Sequence, residues 1–382
     1  MKFAHLADCH IGSWREPELR ELSLKSFEKA IDTCIKEHVA FVIISGDLFD
    51  TSLPSIDIIK DTASILKKLR EYDTPCYIIP GSHDFSPSGK TMLDVLEHSG
   101  LVENVMKLEN NKLIFTEDKT GVKLTGIYGK KGSLEIETYK KLEKEHLEKE
   151  NGFKIFIFHS LLEELKPKNI IADSHSLTLL PKNFNYYAGG HPHITAYKSY
   201  KDYGIVAYPG PIFPNNFKEL EELNHGNFYI VDVNEVINIK KIPLKMKEVY
   251  SYNINADNKT PSEIQKEIDN IKETDGIILL RIEGTLKEGR PTDIKFRDIR
   301  SYCFLKNTLK LLSREVEEFR EIKTENIEED IIKEYNKDAI FSNETILTLM
   351  NLLNKEKNEG ERNQDFEDRI IKDAKELVGI EI

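Results

Sequence analysis

Five short motifs carry Asp and His residues that together could hold metal ions. In chain order they are Asp8-Cys9-His10, Gly46-Asp47-Leu48-Phe49-Asp50, Gly81-Ser82-His83-Asp84, Phe158-His159 and Gly189-Gly190-His191-Pro192-His193. Cleaving a phosphodiester needs a strong nucleophile near neutral pH and a clamp for developing negative charge, and two divalent cations about 3.5–4 Å apart supply both. Carboxylates and neutral imidazoles suit such a pair and favour Mn, Fe or Zn over Ca or Mg. The motifs therefore predict a two-metal hydrolytic site.

The combination of motifs, rather than any one of them, carries this prediction. An isolated Asp-x-His is usually a surface loop, and an isolated His after an apolar strand is usually a core residue. Five of the eleven histidines fall within the motifs. The remaining six match no motif, and we interpret them as structural or surface residues: His5, His38, His98, His146, His175 and His225.

Each motif directly follows an apolar segment that has the length and composition of a strand. These segments are residues 2–7, 41–45, 76–80, 154–158 and 186–188, and further strands are expected at 204–208 and 228–233. Helical patterns alternate with the early strands, which predicts an α/β fold with helices on both faces of a sheet. Ligands of such folds bind at the carboxyl ends of strands. We therefore expect five side chains to converge on one edge of the sheet: Asp8, Asp47, His83, His159 and His191.

The composition of the chain limits its cellular location and its binding partners. The net charge is −12 over 382 residues, which argues against tight, non-specific wrapping of nucleic acid by this chain alone. No apolar run approaches the roughly 18 residues of a membrane helix, and the first residues enter a strand pattern without a signal peptide. Four scattered cysteines with no C-x-x-C pair argue against a disulfide framework. A cytoplasmic location is expected.

The pattern of apolar and polar residues predicts that the chain has three structural parts. Residues 1–243 form the domain that carries the motifs, and residues 244–322 form a small α+β domain with a helix beginning near Thr260. The leucine spacing over 305–319 favours a helix there, although residues 310–314 could equally be a strand. Residues 323–382 comprise a linker and a helical segment with apolar stripes at 346–353 and 366–377. These stripes could pack on their own protein or dock on a partner.

The order of the motifs resembles the calcineurin-like metallophosphoesterase superfamily. Residues 5–12, residues 45–50 and Tyr208-Pro209-Gly210 narrow the resemblance to double-strand-break repair nucleases, of the bacterial SbcD type and the archaeal and eukaryotic meiotic-recombination-eleven type. The resemblance implies a four-layer sandwich, in which two sheets are flanked by helices, with a small capping domain and a C-terminal helical segment. It also implies a manganese-dependent DNA exonuclease and endonuclease.

The resemblance also assigns roles to the motif residues. Asp8, His10 and His193 would hold one manganese ion, His159 and His191 the second, and Asp47 would bridge the two. His83 would protonate the leaving oxygen, and Asp50 would orient His83.

Ser82 departs from the family pattern. It stands where the family has an Asn whose amide oxygen binds the second metal. A serine hydroxyl is shorter by about 1.2 Å, roughly one bond, so we expect an active enzyme that binds its second metal weakly.

Partners follow from the same resemblance. It implies DNA as substrate, a homodimer, and docking of the C-terminal helices on an SMC-like ATPase, with the protein associated with the nucleoid of a prokaryote. Trp14-Arg15 could lean over a bound strand, and several lysines could contact phosphates: Lys130, Lys131, Lys198, Lys201 and Lys218.

Two other functions stay open. One is a metallophosphoesterase that acts on a small phosphodiester or a phosphoprotein. The other is a DNA-end-binding scaffold with a weakened site, and Ser82 is its only support.

Overall fold

The computed structural model describes most of the chain. The described residues are 1–86, 91–110, 112–130, 132, 134–168, 172–272, 274–295, 303–310, 345, 348, 352 and 363–378. The chain divides into two compact units, residues 1–311 and residues 312–382.

The strands of the described residues all belong to the first unit. In chain order they are β1 (Lys2–Leu6), β2 (Phe41–Ser45), β3 (Cys76–Ile79), β4 (Glu103–Asn104), β5 (Leu108–Glu109), β6 (Lys112–Leu113), β7 (Thr116–Glu117), β8 (Lys123–Ile127), β9 (Lys154–His159), β10 (Tyr186–Gly190), β11 (Ala196–Tyr200), β12 (Gly204–Tyr208), β13 (Gly226–Val233), β14 (Ile237–Leu244), β15 (Val249–Asn255), β16 (Ile277–Thr285) and β17 (Cys303–Lys310). All seven strand segments expected from the sequence are therefore confirmed, within two residues at each end.

The α-helices of the described residues begin with two long ones. In chain order they are α1 (Pro17–Lys36), α2 (Ile56–Glu71), α3 (Met92–His98), α4 (Glu135–Lys141), α5 (Glu145–Lys149), α6 (Phe217–Leu223), α7 (Pro261–Asp269) and α8 (Asn363–Val378). No described helix is both long and apolar enough to cross a membrane.

Two six-stranded sheets form the centre of the first unit. Their strand orders are β14-β13-β1-β2-β3-β4 and β11-β12-β10-β9-β8-β7. In the first sheet β1 to β4 run parallel, and in the second β8, β9, β10 and β12 run parallel. Parallel strands place their carboxyl ends along one edge of each sheet, which is where the motifs begin.

The two sheets face each other across a core and are covered by helices on their outer faces. Phe3, Phe41 and Tyr186 belong to the core between the sheets. On the outside of the first sheet, α1 and α2 supply a second apolar cluster, and α4 and α5 contribute to a third on the outside of the second sheet. These layers are helix, sheet, sheet and helix, which confirms the four-layer sandwich.

A three-stranded parallel sheet, β15-β16-β17, follows the sandwich. Helix α7 covers one of its faces and begins with a capping box between Thr260 and Glu263. The expectation of a helix over 305–319 is wrong where the structure describes it, because residues 303–310 form β17. Pairing along the whole length of β17 with β16 supplies its backbone hydrogen bonds, and this tertiary pairing outweighs the leucine spacing.

The C-terminal unit is described mainly by α8. This helix contains the whole second stripe, Phe366, Ile370, Ala374 and Leu377, so the helical interpretation of that stripe is confirmed. The residues of the first stripe, Ile346, Leu349, Met350 and Leu353, lie outside the described residues.

A buried histidine joins the two sheets. His5 of β1 is fully buried, with its Nδ1 2.9 Å from the Tyr186 hydroxyl of β10 and its Nε2 2.7 Å from the Ser45 hydroxyl of β2. Burial lowers the pKa of His5 from 6.5 to about 3. Between pH 6.5 and about pH 3, the unfolded chain therefore binds a proton at His5, whereas the folded protein keeps this imidazole uncharged.

The pKa of His5 predicts a loss of stability in acid. The contribution of this group is fully present above pH 6.5 and is lost as the pH falls towards 3, because only the unfolded chain then binds the proton. Between pH 7 and pH 5 the wild type should lose about 2 kcal/mol more unfolding free energy than His5→Gln, as measured by urea denaturation. Equal losses in the two proteins would contradict this account.

Candidate metal centre

The motif side chains meet where the two sheets meet. Asp8 and Asp47 follow β1 and β2 of the first sheet, whereas His159 ends β9 and His191 follows β10 of the second. The expectation of convergence on one edge of a single sheet is therefore corrected. Each sheet contributes part of the set, and the site lies between their two carboxyl edges.

Three groups of side chains among the described residues have ligand atoms that all lie within 4.8 Å of one another. They are Asp8, His10 and His193; His10, Asp50 and His83; and Asp8, Asp47 and His159. His10 Nε2 lies 3.0 Å from His193 Nε2 and 3.5 Å from Asp47 Oδ2. His159 Nε2 lies 3.1 Å from the same Asp47 oxygen. Nitrogen and carboxylate oxygen atoms thus converge at distances that a shared cation would bridge.

In each of three histidines, the Nδ1 atom, on the other side of the ring from Nε2, contacts an oxygen acceptor. His10 Nδ1 donates to Asp50 Oδ1 at 3.1 Å, and His159 Nδ1 donates to the Ser45 carbonyl at 2.7 Å. His193 Nδ1 lies 3.1 Å from Glu219 Oε1. These contacts fix the ring orientation and direct Nε2 into the site, which is the arrangement found around metal-binding histidines. The residues present therefore fit a divalent cation.

Electrostatics support the same conclusion. Burial opposes ionisation of Asp47, but the charge and hydrogen bond of His159 outweigh it and lower the pKa of Asp47. In turn Asp47 overcomes the burial of His159 and raises the pKa of that imidazole to about 10. The buried carboxylate is thus compensated by positive charge, and a metal cation would take the place of the imidazole proton.

The backbone around the site is strained. Among the described residues twelve that are not glycine have positive φ, and five of these are motif residues: Asp8 (50°), His10 (41°), Asp47 (52°), His191 (99°) and His193 (50°). Such conformations cost on the order of 1–3 kcal/mol each and persist only where the surrounding structure enforces them. Their concentration at the carboxyl edges indicates a functional site.

Comparison with known proteins identifies the family. The family model for calcineurin-like phosphoesterases matches residues 1–195, which include all five motifs. The chain belongs to the calcineurin-like phosphoesterase family. It is accordingly a metal-dependent phosphodiesterase.

Archaeal relatives are similar over most of the chain. The chain is 30% identical to the DNA double-strand break repair protein Mre11 of Methanococcus maripaludis, over 71% of this chain and 74% of that protein. It is 28% identical to the protein of the same name from Methanocaldococcus jannaschii, over 71% of this chain and 74% of that protein. The likeness to the Sulfolobus acidocaldarius protein is 26% and covers 93% and 95% of the two chains.

His83 and Asp50 form one of the three candidate groups, together with His10. The backbone N–H of His83 donates to Asp47 Oδ1 at 2.7 Å, and its Nδ1 donates to the Asp50 carbonyl at 2.7 Å. The Asp50 carboxylate is closer to His10 than to His83, at 3.1 Å against 3.5 Å. Asp50 therefore orients His83 through its main chain and His10 through its side chain.

Ser82 and His191 have looser contacts than the other motif residues. The Ser82 hydroxyl lies 3.4 Å from Asp47 Oδ2, which places it on the side of the site near His159. His191 is exposed, and its ring centroid lies 5.3 Å from that of His159. Its backbone N–H donates to Asp8 Oδ1 at 2.7 Å. Neither side chain belongs to the tight groups formed by the other motif residues.

Two acidic residues of the site were not singled out from the sequence. Asp84 is buried and its carboxylate accepts the N–H groups of Leu48 (3.1 Å), Phe49 (3.0 Å) and Gly81 (3.0 Å), which ties the second motif to the third. Burial, followed by the charge of Asp47, raises the pKa of Asp84 to about 6. Its position in the third motif was a usable signal, because a buried acid in a turn must find donors.

Glu219, the second such residue, gave no usable signal. It lies on α6, 26 positions after the histidine that it contacts, and one acid among several in a short helix has no distinguishing pattern.

The residues proposed to contact nucleic acid differ in their placement. Trp14 is buried and its indole N–H donates to the Pro214 carbonyl at 2.8 Å, so the expectation that it leans over a bound strand is wrong. Lys198 and Lys201 are exposed, and Lys218 is exposed with its ammonium 3.7 Å from Glu222. Lys131 lies outside the described residues.

An aromatic pair stands next to the site. Phe85, two residues after His83, is stacked on Tyr128 with a centroid distance of 5.8 Å and an interplanar angle of 6°. The Lys130 ammonium lies 5.0 Å from the Tyr128 ring centroid. Gly129, between Tyr128 and Lys130 in the sequence, has no room for a side chain, since a Cβ would lie 2.5 Å from the His159 ring.

Proposed function

We propose that this phosphodiesterase is a manganese-dependent DNA nuclease of double-strand-break repair. The observation that carries the proposal is the convergence of Nε2 atoms and carboxylates between the two sheets, with the opposite imidazole nitrogens held by oxygen acceptors. The DNA substrate is supported by the similarity to archaeal double-strand break repair proteins across most of the chain. Exonuclease and endonuclease cleavage would both use this site.

The ligand sets follow from these contacts. One cation would be held by Asp8, His10 and His193, and a second by His159 and His191 with the Ser82 hydroxyl nearby, while Asp47 would contact both. When bound, the two cations supply Lewis acidity that activates water and stabilises charge on the phosphate. Mixed nitrogen and oxygen ligands are compatible with manganese.

In this proposal His83 is the general acid that protonates the leaving group. Its Nδ1 is fixed on the Asp50 carbonyl, which leaves Nε2 free of that contact, and 41% of its side chain is exposed. A protonated imidazole held in this way donates from Nε2 to the oxygen that leaves phosphorus. Phe85, Tyr128 and Lys130 offer a stacking surface and a cation to a neighbouring nucleotide, which favours nucleic acid over a small diester.

Replacing the acid tests the enzymatic proposal. His83→Gln should lower the turnover of DNA by about a hundredfold to ten-thousandfold, because a general acid is removed. Manganese affinity, measured by isothermal titration calorimetry, should stay unchanged, since His83 is not a ligand here.

A substrate panel completes this test. It comprises duplex DNA, single-stranded DNA, bis-p-nitrophenyl phosphate and p-nitrophenyl phosphate. Turnover of the small diester or the monoester without cleavage of DNA would favour another metallophosphoesterase function. Equal activity of His83→Gln and the wild type would leave a DNA-binding scaffold as the better account.

The departure at Ser82 predicts a gain of function. Ser82→Asn places an amide oxygen nearer the second cation and should tighten the binding of that cation on the order of tenfold, as expected for one well-placed contact in a metal site. Titration calorimetry with manganese resolves the two affinities, and turnover at limiting manganese should rise with the second. If neither changes, Ser82 is not part of the second metal site.

We further propose a homodimer. The apolar side chains of Leu53, which precedes α2, and of Ile56, the first residue of α2, are 66% and 83% exposed, and Val95 of α3 is 48% exposed. The Met92 N–H donates to the Ser52 carbonyl at 3.3 Å, which brings the two helices together. Exposed apolar residues at the beginning of α2, in the loop before it and on α3 support a protein contact here.

An SMC-like ATPase is proposed as the partner of the C-terminal helices, and the nucleoid of a prokaryotic cytoplasm as the location. The support is α8, in which Phe366, Ile370 and Leu377 recur at helical spacing, the pattern of an amphipathic helix that binds in a groove.

Removing the C-terminal helices tests the partnership. A chain ending at residue 335 should keep manganese-dependent cleavage of bis-p-nitrophenyl phosphate, because the metal-binding residues all precede residue 195. It should no longer co-purify with the ATPase when the two are co-expressed. Retention of the ATPase by the truncated chain refutes docking through these helices.

A further inference from the structure

Helix α6 touches the metal centre through one carboxylate. Glu219 Oε1 lies 3.1 Å from His193 Nδ1 and accepts the side-chain N–H of Asn216 at 2.7 Å. Its other oxygen accepts the backbone N–H of Asn215 at 2.9 Å. The contacts with Asn215 and Asn216 thus fix the Glu219 carboxylate at the beginning of α6. In this position it holds the His193 ring.

The same helix touches the three-stranded sheet through a second carboxylate. Arg281 of β16 places its Nε 3.3 Å and its Nη2 2.5 Å from the two oxygens of Glu221. The Arg281 guanidinium also lies 5.4 Å from the centroid of the Phe217 ring. These side chains are largely buried, with 19% of Arg281 and 25% of Glu221 exposed, so the forked pair is shielded from water.

The position of Arg281 in its strand directs it at α6. Alternate residues of a strand face opposite sides, and Leu280 and Ile282 pack under α7 in the core of the small sheet. Ile277 and Leu279 face the other way and pack against residues of the sandwich, including Leu220 of α6. Arg281 continues that second row. The small sheet and α6 therefore share one interface, apolar at Leu220 and ionic at Glu221.

We propose that Arg281 is a positioning residue for the metal-binding histidine His193, acting through α6. A helix of seven residues is short and stiff, so a contact that fixes Glu221 also fixes Glu219, two positions earlier. Glu219 in turn determines which His193 nitrogen faces the site. The small sheet thereby contributes to metal affinity from a strand that provides no ligand. This inference depends on the proposed function, because it requires His193 to bind a cation.

Manganese affinity is the measurement that tests this link. Glu219→Gln should weaken manganese binding by about tenfold to a hundredfold, the usual effect of losing the partner of a metal-binding histidine. Arg281→Met should weaken it on the order of fivefold, which corresponds to an indirect coupling of about 1 kcal/mol. The double variant should bind no more weakly than Glu219→Gln alone, because both changes act through one carboxylate. Calorimetry on the full-length chain gives all three affinities.

Controls separate positioning from a general structural role. Lys272→Met removes an exposed cation from the same small domain and should leave manganese affinity unchanged. Arg281→Lys keeps the charge but not the fork, and should recover part of the loss. If Arg281→Met does not fold, Glu221→Ala breaks the same pair from the helix side, with the same expected loss.

Two outcomes would overturn the inference. One is an Arg281→Met protein with a lowered melting temperature and wild-type manganese affinity, which is the signature of a purely structural ion pair. The other is a double variant in which the two losses multiply, since independent effects are additive in free energy. A wild-type chain that binds no manganese would instead reject the proposed function on which the inference rests.

Discussion

The carboxylate of Asp47 is the constraint around which the site is built. It is almost fully buried, and an ionised carboxylate in such a place is tolerated only with charge or donors around it. His159 Nε2 approaches it from the end of β9 in the second sheet, and the His83 N–H and the Ser82 hydroxyl approach it from the turn after β3 in the first sheet. Asp47 itself follows β2 of the first sheet, so satisfying this one carboxylate fixes the relative position of the two sheets at their carboxyl edges.

This convergence requires unfavourable backbone geometry. Five motif residues have positive φ, and the main chains approach so closely that a Cβ on Gly190 would lie 2.2 Å from the Ser45 carbonyl oxygen. The apolar layers on either side of the sheets stabilise the strands that end here, and the strained turns follow from where those strands end. Asp84 reinforces two of the turns by accepting three backbone N–H groups. Stability made in the core thus offsets strain at the site.

The small sheet is joined to the sandwich by contacts close to the metal centre. The apolar cluster that includes Trp14, Leu220 and Leu279 excludes water from the ionic pair of Arg281 with Glu221, which strengthens that pair. Glu221 at this interface and Glu219, which holds His193, lie only two positions apart on α6. Trp14 thus serves this interface, although its position after the first motif suggested a role at the substrate.

The sequence alone determined the strands, the α/β character and the motif residues, because fully apolar strands ending in Asp, Gly and His are local patterns. It could not determine that two sheets share the site, because nothing local specifies which strands pair. The strand β17 was misjudged for the same reason, since its hydrogen bonds come from a partner more than twenty residues away. Glu219 and Arg281 became recognisable only in three dimensions. Their partners, His193 and Glu221, lie 26 and 60 positions distant along the chain, and only tertiary packing brings such charges together.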